Sequence, residues 1–411
     1  MKKAWMGYKN VPFIAKMTFG FIIGIIVGVI FGKEAEVLKP LGTLLINLLT
    51  LVAIPVIFFT VVLAVNKMSA SQLGRIGWKL ILYYALTTAA AVLIGLGLAL
   101  WFEPGKHLTL PNTVVDQPTA PNFSDVLLNI VPDNIVTAFS TGNVMGIMFL
   151  AIIIGAAIAI MKSSKDMQVN EYGVMLEKFT NALSELFYTL LRGILFYMPI
   201  GIFAISASSF GGQGWGTLKS LFAFVGVFYL GLLLLWVFVY VGFLLLSGTP
   251  LLNFFKQTKE AYTTAFFTSS SIASLPIALK SAKKAGISDN VANFALPLGA
   301  IFNSDGGAIR MGVSIVFAAN ITNLQLSPPD LLMIVLVGTL LSIGTAGVPA
   351  AGLVTLAAVL TMFGLPLEIV ALIAGVDAIL GMGGTASNVI GDIIGAAVVD
   401  KSEEKRLAKI V

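Results

Sequence analysis

The sequence predicts an all-α polytopic membrane protein with eight transmembrane helices and two re-entrant hairpins. Three observations carry that prediction. The 411 residues are 57% hydrophobic and only 11% charged, with a mean hydropathy of +0.96. Apolar stretches of about eighteen residues or more, long enough to cross a bilayer as a helix, recur from end to end. Lysines and arginines gather in the short loops between them, as orientation signals do. A closed β-barrel would instead show short alternating segments. Cysteine is absent and there is one histidine, which removes disulfides, thiol catalysis and Cys or His metal clusters. The chain is therefore not read as an enzyme. The net charge of +5 belongs to the loops rather than to a nucleic-acid surface.

The first helix is expected over 11–32, the second over 40–66 and the third over 76–102. The opening Met-Lys-Lys-Ala-Trp leads into an apolar run without a small-residue cleavage site, so this span is read as retained. Residues 103–125, with Glu103, Pro104, Asp116, Pro118, Pro121 and Asp125, form a polar loop that also holds His107, a solvated residue. The region 126–161 is apolar but interrupted by Pro132, Asp133 and Gly142, which predicts a segmented fourth span. Spans five and six are expected over 171–209 and 216–248, separated by a turn at Gly211-Gly212-Gln213-Gly214.

With the N-terminus inside, nineteen of the 25 lysines and arginines fall on the cytoplasmic side and four, Lys33, Lys39, Lys106 and Lys219, outside. Arg192 and Arg310 lie within membrane segments. This asymmetry orients both termini to the cytoplasm of a plasma (inner) membrane. Residues 261–279 are flanked by Lys256 and Lys259 on one side and by Lys280, Lys283 and Lys284 on the other. A crossing would put one cluster outside. The centre, Thr268 to Pro276, is rich in serine, so a hairpin that enters and returns fits better. Residues 328–365 repeat the pattern from the other side, around the breakable centre Ser342 to Gly352. Each hairpin precedes a long apolar helix with a polar interruption, 288–318 and 367–400. Two such units of opposite topology make an inverted repeat, which points to a transporter binding site between them.

The chemistry concentrates in those two helices. Asp305 sits in an apolar stretch, with Asn303 before it and Gly306 and Gly307 after it. A carboxylate at membrane depth needs a cation or a donor. A helix broken here would add backbone carbonyls. Asn388 and Asp392, four apart, share a helix face, and Asp377, Gly381, Gly384 and Thr385 belong to the same polar helix. Small residues alone are usually packing contacts, which accounts for the glycines but not for two aspartates and an asparagine. Sodium, like other hard cations, takes oxygen ligands. The serines at the first hairpin tip offer hydroxyls and free amides that attract a carboxylate, although a serine-rich turn is often only a turn. Arg310, seven residues after Asn303 and two turns on along the same side, either pairs with Asp305 or snorkels, or binds a solute carboxylate. Glu185 and Arg192 read as a structural pair or snorkelling ends. Tyr84, Thr87 and Thr88 are further oxygen ligands or simple backbone partners.

Taken together these residues resemble the dicarboxylate/amino acid:cation symporter family, which includes glutamate and neutral amino-acid transporters. The motifs are Ser269-Ser270-Ser271, Asn303-Ser304-Asp305-Gly306, the run Gly344 to Pro349, and Asp377 with Thr385, Asn388 and Asp392. The resemblance covers nearly the whole chain. It implies a glutamate-transporter-like homotrimer of elevator type, in lipid, with a scaffold and a moving transport domain. Its segments here are 1–75 and most of 126–250 for the scaffold; 76–125, the sixth helix, 251–287 (first hairpin), 288–327, 328–365 (second hairpin, the gate) and 366–411 form the transport part. It implies sodium, with protons as the alternative coupling ion. One sodium site would use Asp392, Asn388 and carbonyls of Gly299 and Asn303; a second Asp305, Asn303, Tyr84, Thr87 and Thr88; a third carbonyls of Ser342, Ile343 and Thr345. The solute, an amino acid or dicarboxylate, would meet Ser270, Ser271, Gly307, Arg310, Val348, Ala350, Gly352, Gly381, Gly384, Thr385 and Asn388. Where acidic amino-acid carriers have an aspartate and an arginine on the last helix, this chain has Gly381 and Gly384, and Ser269 replaces the first hairpin's arginine. Ser304 replaces a methionine that links ion sites, and Gly307 a pocket threonine. Losing a charge pair together is electrostatically consistent, and Arg310 supplies a cation from another helix. A substrate-gated anion channel is the alternative activity.

Overall fold

The computed structural model describes residues 13–66, 75–106, 108, 131–213, 215–342 and 351–407. Every regular element among them is helical. In chain order they are α1 (Phe13–Phe31), a 3-10 turn (Gly32–Leu38), α2 (Lys39–Asn66), α3 (Arg75–Phe102), α4 (Ile135–Thr141), α5 (Val144–Lys162), α6 (Met167–Gln213), α7 (Trp215–Leu234), a π-helical turn (Leu235–Tyr240), α8 (Val241–Ser247), α9 (Leu251–Thr268), α10 (Ser271–Lys284), α11 (Asp289–Phe302), α12 (Asp305–Thr322), α13 (Pro328–Ser342), α14 (Ala351–Met362) and α15 (Glu368–Leu407). Among the described residues, five helical stretches are long and apolar enough to span a bilayer, among them Ile76–Phe102, Gly216–Ser247 and Glu368–Arg406. The protein is a helical membrane protein.

Helix contacts are set by glycine. On α1, Gly20, Gly24 and Gly28 recur every four residues, on one face. A Cβ at each would stand 2.5–2.6 Å from the backbone oxygens of Pro199, Phe203 and Ala207 on α6. Without side chains the two backbones touch, the usual route to helix association where lipid is as apolar as leucine. In the same way Gly95 of α3 lies against the backbone of Ile309, and Gly312 of α12 against Val92 and Leu96. Thr88 is two turns before Gly95 on the same face, so this crossing brings Thr88 to the start of α12, where Asp305 lies.

The described part of the region 126–161 is segmented as expected. Gly142 takes a left-handed conformation (φ 68°) between α4 and α5, and Asn134 and Asn143 cap the two helix starts. The first hairpin breaks at Ser269, which is left-handed at φ 48°; the Ser270 hydroxyl then accepts from the Ala273 amide at 3.3 Å to start α10. The helix broken near Asn303 is present: Asn303 is extended and Ser304 is non-helical between α11 and α12.

One expectation is corrected. Gly211, Gly212 and Gln213 do not form a turn, because α6 continues through Gln213. Gly211 is small because a Cβ there would strike the carbonyl of Gly32. The last helix carries its polar residues while running unbroken from Glu368 to Leu407. Its polar groups face other helices rather than breaking its own ladder. The tip of the second apolar pair, 343–350, lies outside the described residues, as does His107.

Candidate functional site

The break between α11 and α12 creates the site. Asp305 is the first residue of α12, where the helix dipole and free amides favour negative charge. The next amide, that of Gly306, donates to Asn388 Oδ1 at 2.8 Å. The two helices meet without side chains: a Cβ on Gly306 would collide with the backbone of Gly384. That collision-free crossing lets α15 pass close enough for Asn388 to cap α12.

Asp305 is fully buried. Its Oδ1 accepts from Thr88 at 2.8 Å and from Thr87 at 3.2 Å, and its Oδ2 accepts from the Tyr240 hydroxyl at 2.8 Å. Asp392 is 3% exposed, and its Oδ1 accepts from Asn303 Nδ2 at 2.9 Å. The same Nδ2 lies 3.2 Å from the Asn388 carbonyl. Asn303 Oδ1 is buried with no hydrogen-bond partner. Gly299 faces this group closely: a Cβ there would meet the Asp392 carboxylate and the Tyr84 hydroxyl. Among the described residues, neither Asp305 nor Asp392 has a basic side chain in an ion pair.

Among the described residues the most buried ion pair is Arg310 Nη1 to Asp377 Oδ1, at 2.5 Å, with each side chain 10% exposed. Arg310 Nε and Nη2 are buried without partners. Gly352, at the start of α14, lies against the guanidinium, where a Cβ would be 3.0 Å from Nη1. This overturns one of the alternatives for Arg310, the pairing with Asp305. The break at Asn303 removes any continuous helical face shared by those two residues, and the acid beside Arg310 is Asp377, not Asp305.

The remaining expected residues gather near these groups. A Cβ on Gly307 would meet only the Ser304 side chain, and one on Gly381 only that of Ser269, 3.8 Å away from its hydroxyl. Ser269 Oγ is itself buried and unpartnered. Ser271 is buried at the start of α10, and Thr385 is half-buried on α15. The Ser342 hydroxyl donates to the Ser304 carbonyl at 2.8 Å, which ties the end of α13 to the α11–α12 break. Tyr84 falls on the Asp392 side rather than at Asp305, with its hydroxyl donating to the Ala295 carbonyl at 3.2 Å. Ile343, Thr345, Val348 and Ala350 lie outside the described residues. Glu185 and Arg192 do pair, on the exposed side of α6.

Sequence reasoning missed Tyr240. A buried tyrosine hydroxyl must find a partner, but nothing in the run Leu-Trp-Val-Phe-Val-Tyr says which. The arrangement offers two buried carboxylates, amide and hydroxyl oxygens, and a guanidinium with spare donors. It can hold cations on oxygen and an anionic group on Arg310.

The sequence matches the model of the sodium:dicarboxylate symporter family over residues 13–402. It is 32% identical to C4-dicarboxylate transport protein 2 of Mesorhizobium japonicum, covering 97% of this chain and 92% of that protein. The C4-dicarboxylate transport protein of Cupriavidus pinatubonensis is 30% identical, over 95% of this chain and 91% of its own length. That of Rhizobium etli is 32% identical, over 93% and 87%.

Proposed function

The chain belongs to the sodium:dicarboxylate symporter family, a family of transporters and not of enzymes, and on that premise we propose that it couples sodium entry to uptake of a small carboxylate-bearing solute. The observation that carries this reading is the pair Asp305 and Asp392. Both are buried, neither has a basic partner among the described residues, and Asn303 Oδ1 stands beside them without a donor. Two buried carboxylates without a counter-charge in a membrane interior cost on the order of several kcal/mol. A cation that binds and leaves removes that cost, and an orphan amide oxygen is the ligand type sodium takes.

One sodium is held by Asp392, Asn303 Oδ1 and the backbone around Gly299 and Asn388. A second is held by Asp305 with Thr87 and Thr88. The third set, carbonyls at Ser342, Ile343 and Thr345, is carried as part of the same proposal. The solute lies between the first hairpin tip and α15. One carboxylate meets the amides around Ser271 and the side chain of Asn388. Arg310, with two donors unused, takes an anionic group, and Gly307, Gly381 and Gly384 leave room for the body of the solute. A dicarboxylate is the favoured class, supported by the names of the relatives; an amino acid is the other.

In this reading α9–α10 and α13–α14 are re-entrant hairpins, the latter the outer gate. Helices α1, α2 and α4–α6 form a trimeric scaffold, and the rest moves as an elevator in the inner membrane, with both termini cytoplasmic. Purified protein in liposomes tests the activity. Labelled succinate, fumarate, aspartate and serine are offered under an inward sodium gradient, a choline control and a proton gradient. Accumulation of at least one anionic solute only with sodium is expected. Accumulation under the proton gradient alone replaces sodium by protons, and no accumulation under any gradient removes the reading.

A further inference from the structure

Tyr240 stands where one proton faces two acceptors. Its hydroxyl is 2.8 Å from Asp305 Oδ2 and 3.0 Å from the backbone carbonyl of Ser387. A tyrosine hydroxyl has a single hydrogen to donate, so it cannot serve both fully. Thr87 repeats the arrangement: its hydroxyl is 3.2 Å from Asp305 Oδ1 and 3.2 Å from the Tyr84 carbonyl. Two of the three hydroxyls on Asp305 therefore have a second acceptor within reach. A cation at the carboxylate competes for the lone pairs these hydrogens occupy. When it binds, Thr87 can turn to Tyr84 and Tyr240 to Ser387, so neither of these two buried donors is left unpaired.

The local structure is built for this. Tyr240 ends the π-helical turn Leu235–Tyr240, the only departure from α-helix between Trp215 and Ser247. Such turns re-aim side chains and recur at functional sites. Within the turn, Trp236 Nε1 donates to Ser387 Oγ at 2.7 Å. Gly391 leaves the gap that admits the ring, since a Cβ there would be 2.6 Å from the Tyr240 hydroxyl. One turn of helix thus grips both the backbone and the side chain of Ser387, the neighbour of Asn388.

We propose that Tyr240 is a positioning residue that carries the state of the Asp305 cation site to Ser387 and Asn388 on α15, by moving its hydroxyl hydrogen from carboxylate to carbonyl. This rests on the reading of Asp305 as a sodium site. It assigns the coupling between ion and solute to a side chain that touches neither the solute nor, in the empty state, any ion.

The chain has no cysteine, so a single thiol reports cleanly without knowledge of the solute. Gly381→Cys places it on α15, and its maleimide labelling rate is measured in sodium chloride and in choline chloride. Melting temperature in the same salts reports sodium binding. Sodium is expected to raise the melting temperature and to change the labelling rate about fivefold. In Gly381→Cys/Tyr240→Phe the melting shift persists and the labelling rate no longer responds. An equal labelling response in both proteins, or none in the parent despite a melting shift, overturns the inference. So does loss of the melting shift in the Phe variant, which would make Tyr240 a ligand. A parent whose melting temperature ignores sodium removes the sodium reading itself, and the link with it.

Discussion

Arg310 of α12 and Asp377 of α15 meet at 2.5 Å, each side chain 10% exposed, and the guanidinium keeps Nε and Nη2 free of partners. The acid sets the position of the base while the base retains donors for something else. Asp377→Asn leaves the guanidinium without its counter-charge and should destabilise the protein by about 3–5 kcal/mol. The double change Arg310→Met/Asp377→Leu restores a neutral apolar pair and should recover most of that loss. Thermal unfolding in detergent separates the two.

Arg310→Ala should abolish the preference for anionic over neutral solutes in liposome uptake. An unchanged ranking of succinate, aspartate and serine would remove the role given to this side chain.

Gly299 is a glycine because the Asp392 carboxylate and the Tyr84 hydroxyl occupy the place of its Cβ. Gly299→Ala should weaken sodium dependence about tenfold or more, equivalent to about 1.4 kcal/mol. The half-saturating sodium concentration for thermal stabilisation measures this.

Thr88 and Thr87 differ in a way that two substitutions can read. Thr88 donates to Asp305 at 2.8 Å, whereas Thr87 is longer and shares its hydrogen with the Tyr84 carbonyl. A hydrogen bond to a charged group is worth about 1.5–3 kcal/mol. In sodium-free buffer Thr88→Val should therefore lower the melting temperature more than Thr87→Val. The reverse order would mean that the hydroxyls do not hold the empty carboxylate.

Packing at α1 is a separate matter. Gly24→Val drives methyl groups into the Phe203 carbonyl and the Ser206 side chain, an overpacking cost of about 1–3 kcal/mol. Stability should fall while the sodium response of the folded fraction stays unchanged.

The parts of this architecture that sequence reveals are those where polarity contradicts a membrane setting. The serine run at Ser269 to Ser271 and the lysines around it announce the α9–α10 break. Asn303 and Asp305 in apolar surroundings announce the break between α11 and α12. Gly211 misled because glycine serves turns and close helix packing alike, and only the Gly32 carbonyl above it distinguishes them. The partner of Arg310 lies 67 positions away on another helix, and spacing along one chain says nothing about it. Tyr240 was hidden for a further reason: a π-helical turn shifts the face on which a residue falls, so a regular helical count places its ring wrongly.

The most direct test of the account is sodium-dependent thermal stabilisation of the purified protein, compared with Asp305→Asn and Asp392→Asn. Sodium, and not choline, should raise the melting temperature of the unaltered protein, and each substitution should shrink that rise. If both variants respond to sodium as the parent does, the buried carboxylates hold no ion and the proposal of sodium-coupled transport through them is contradicted.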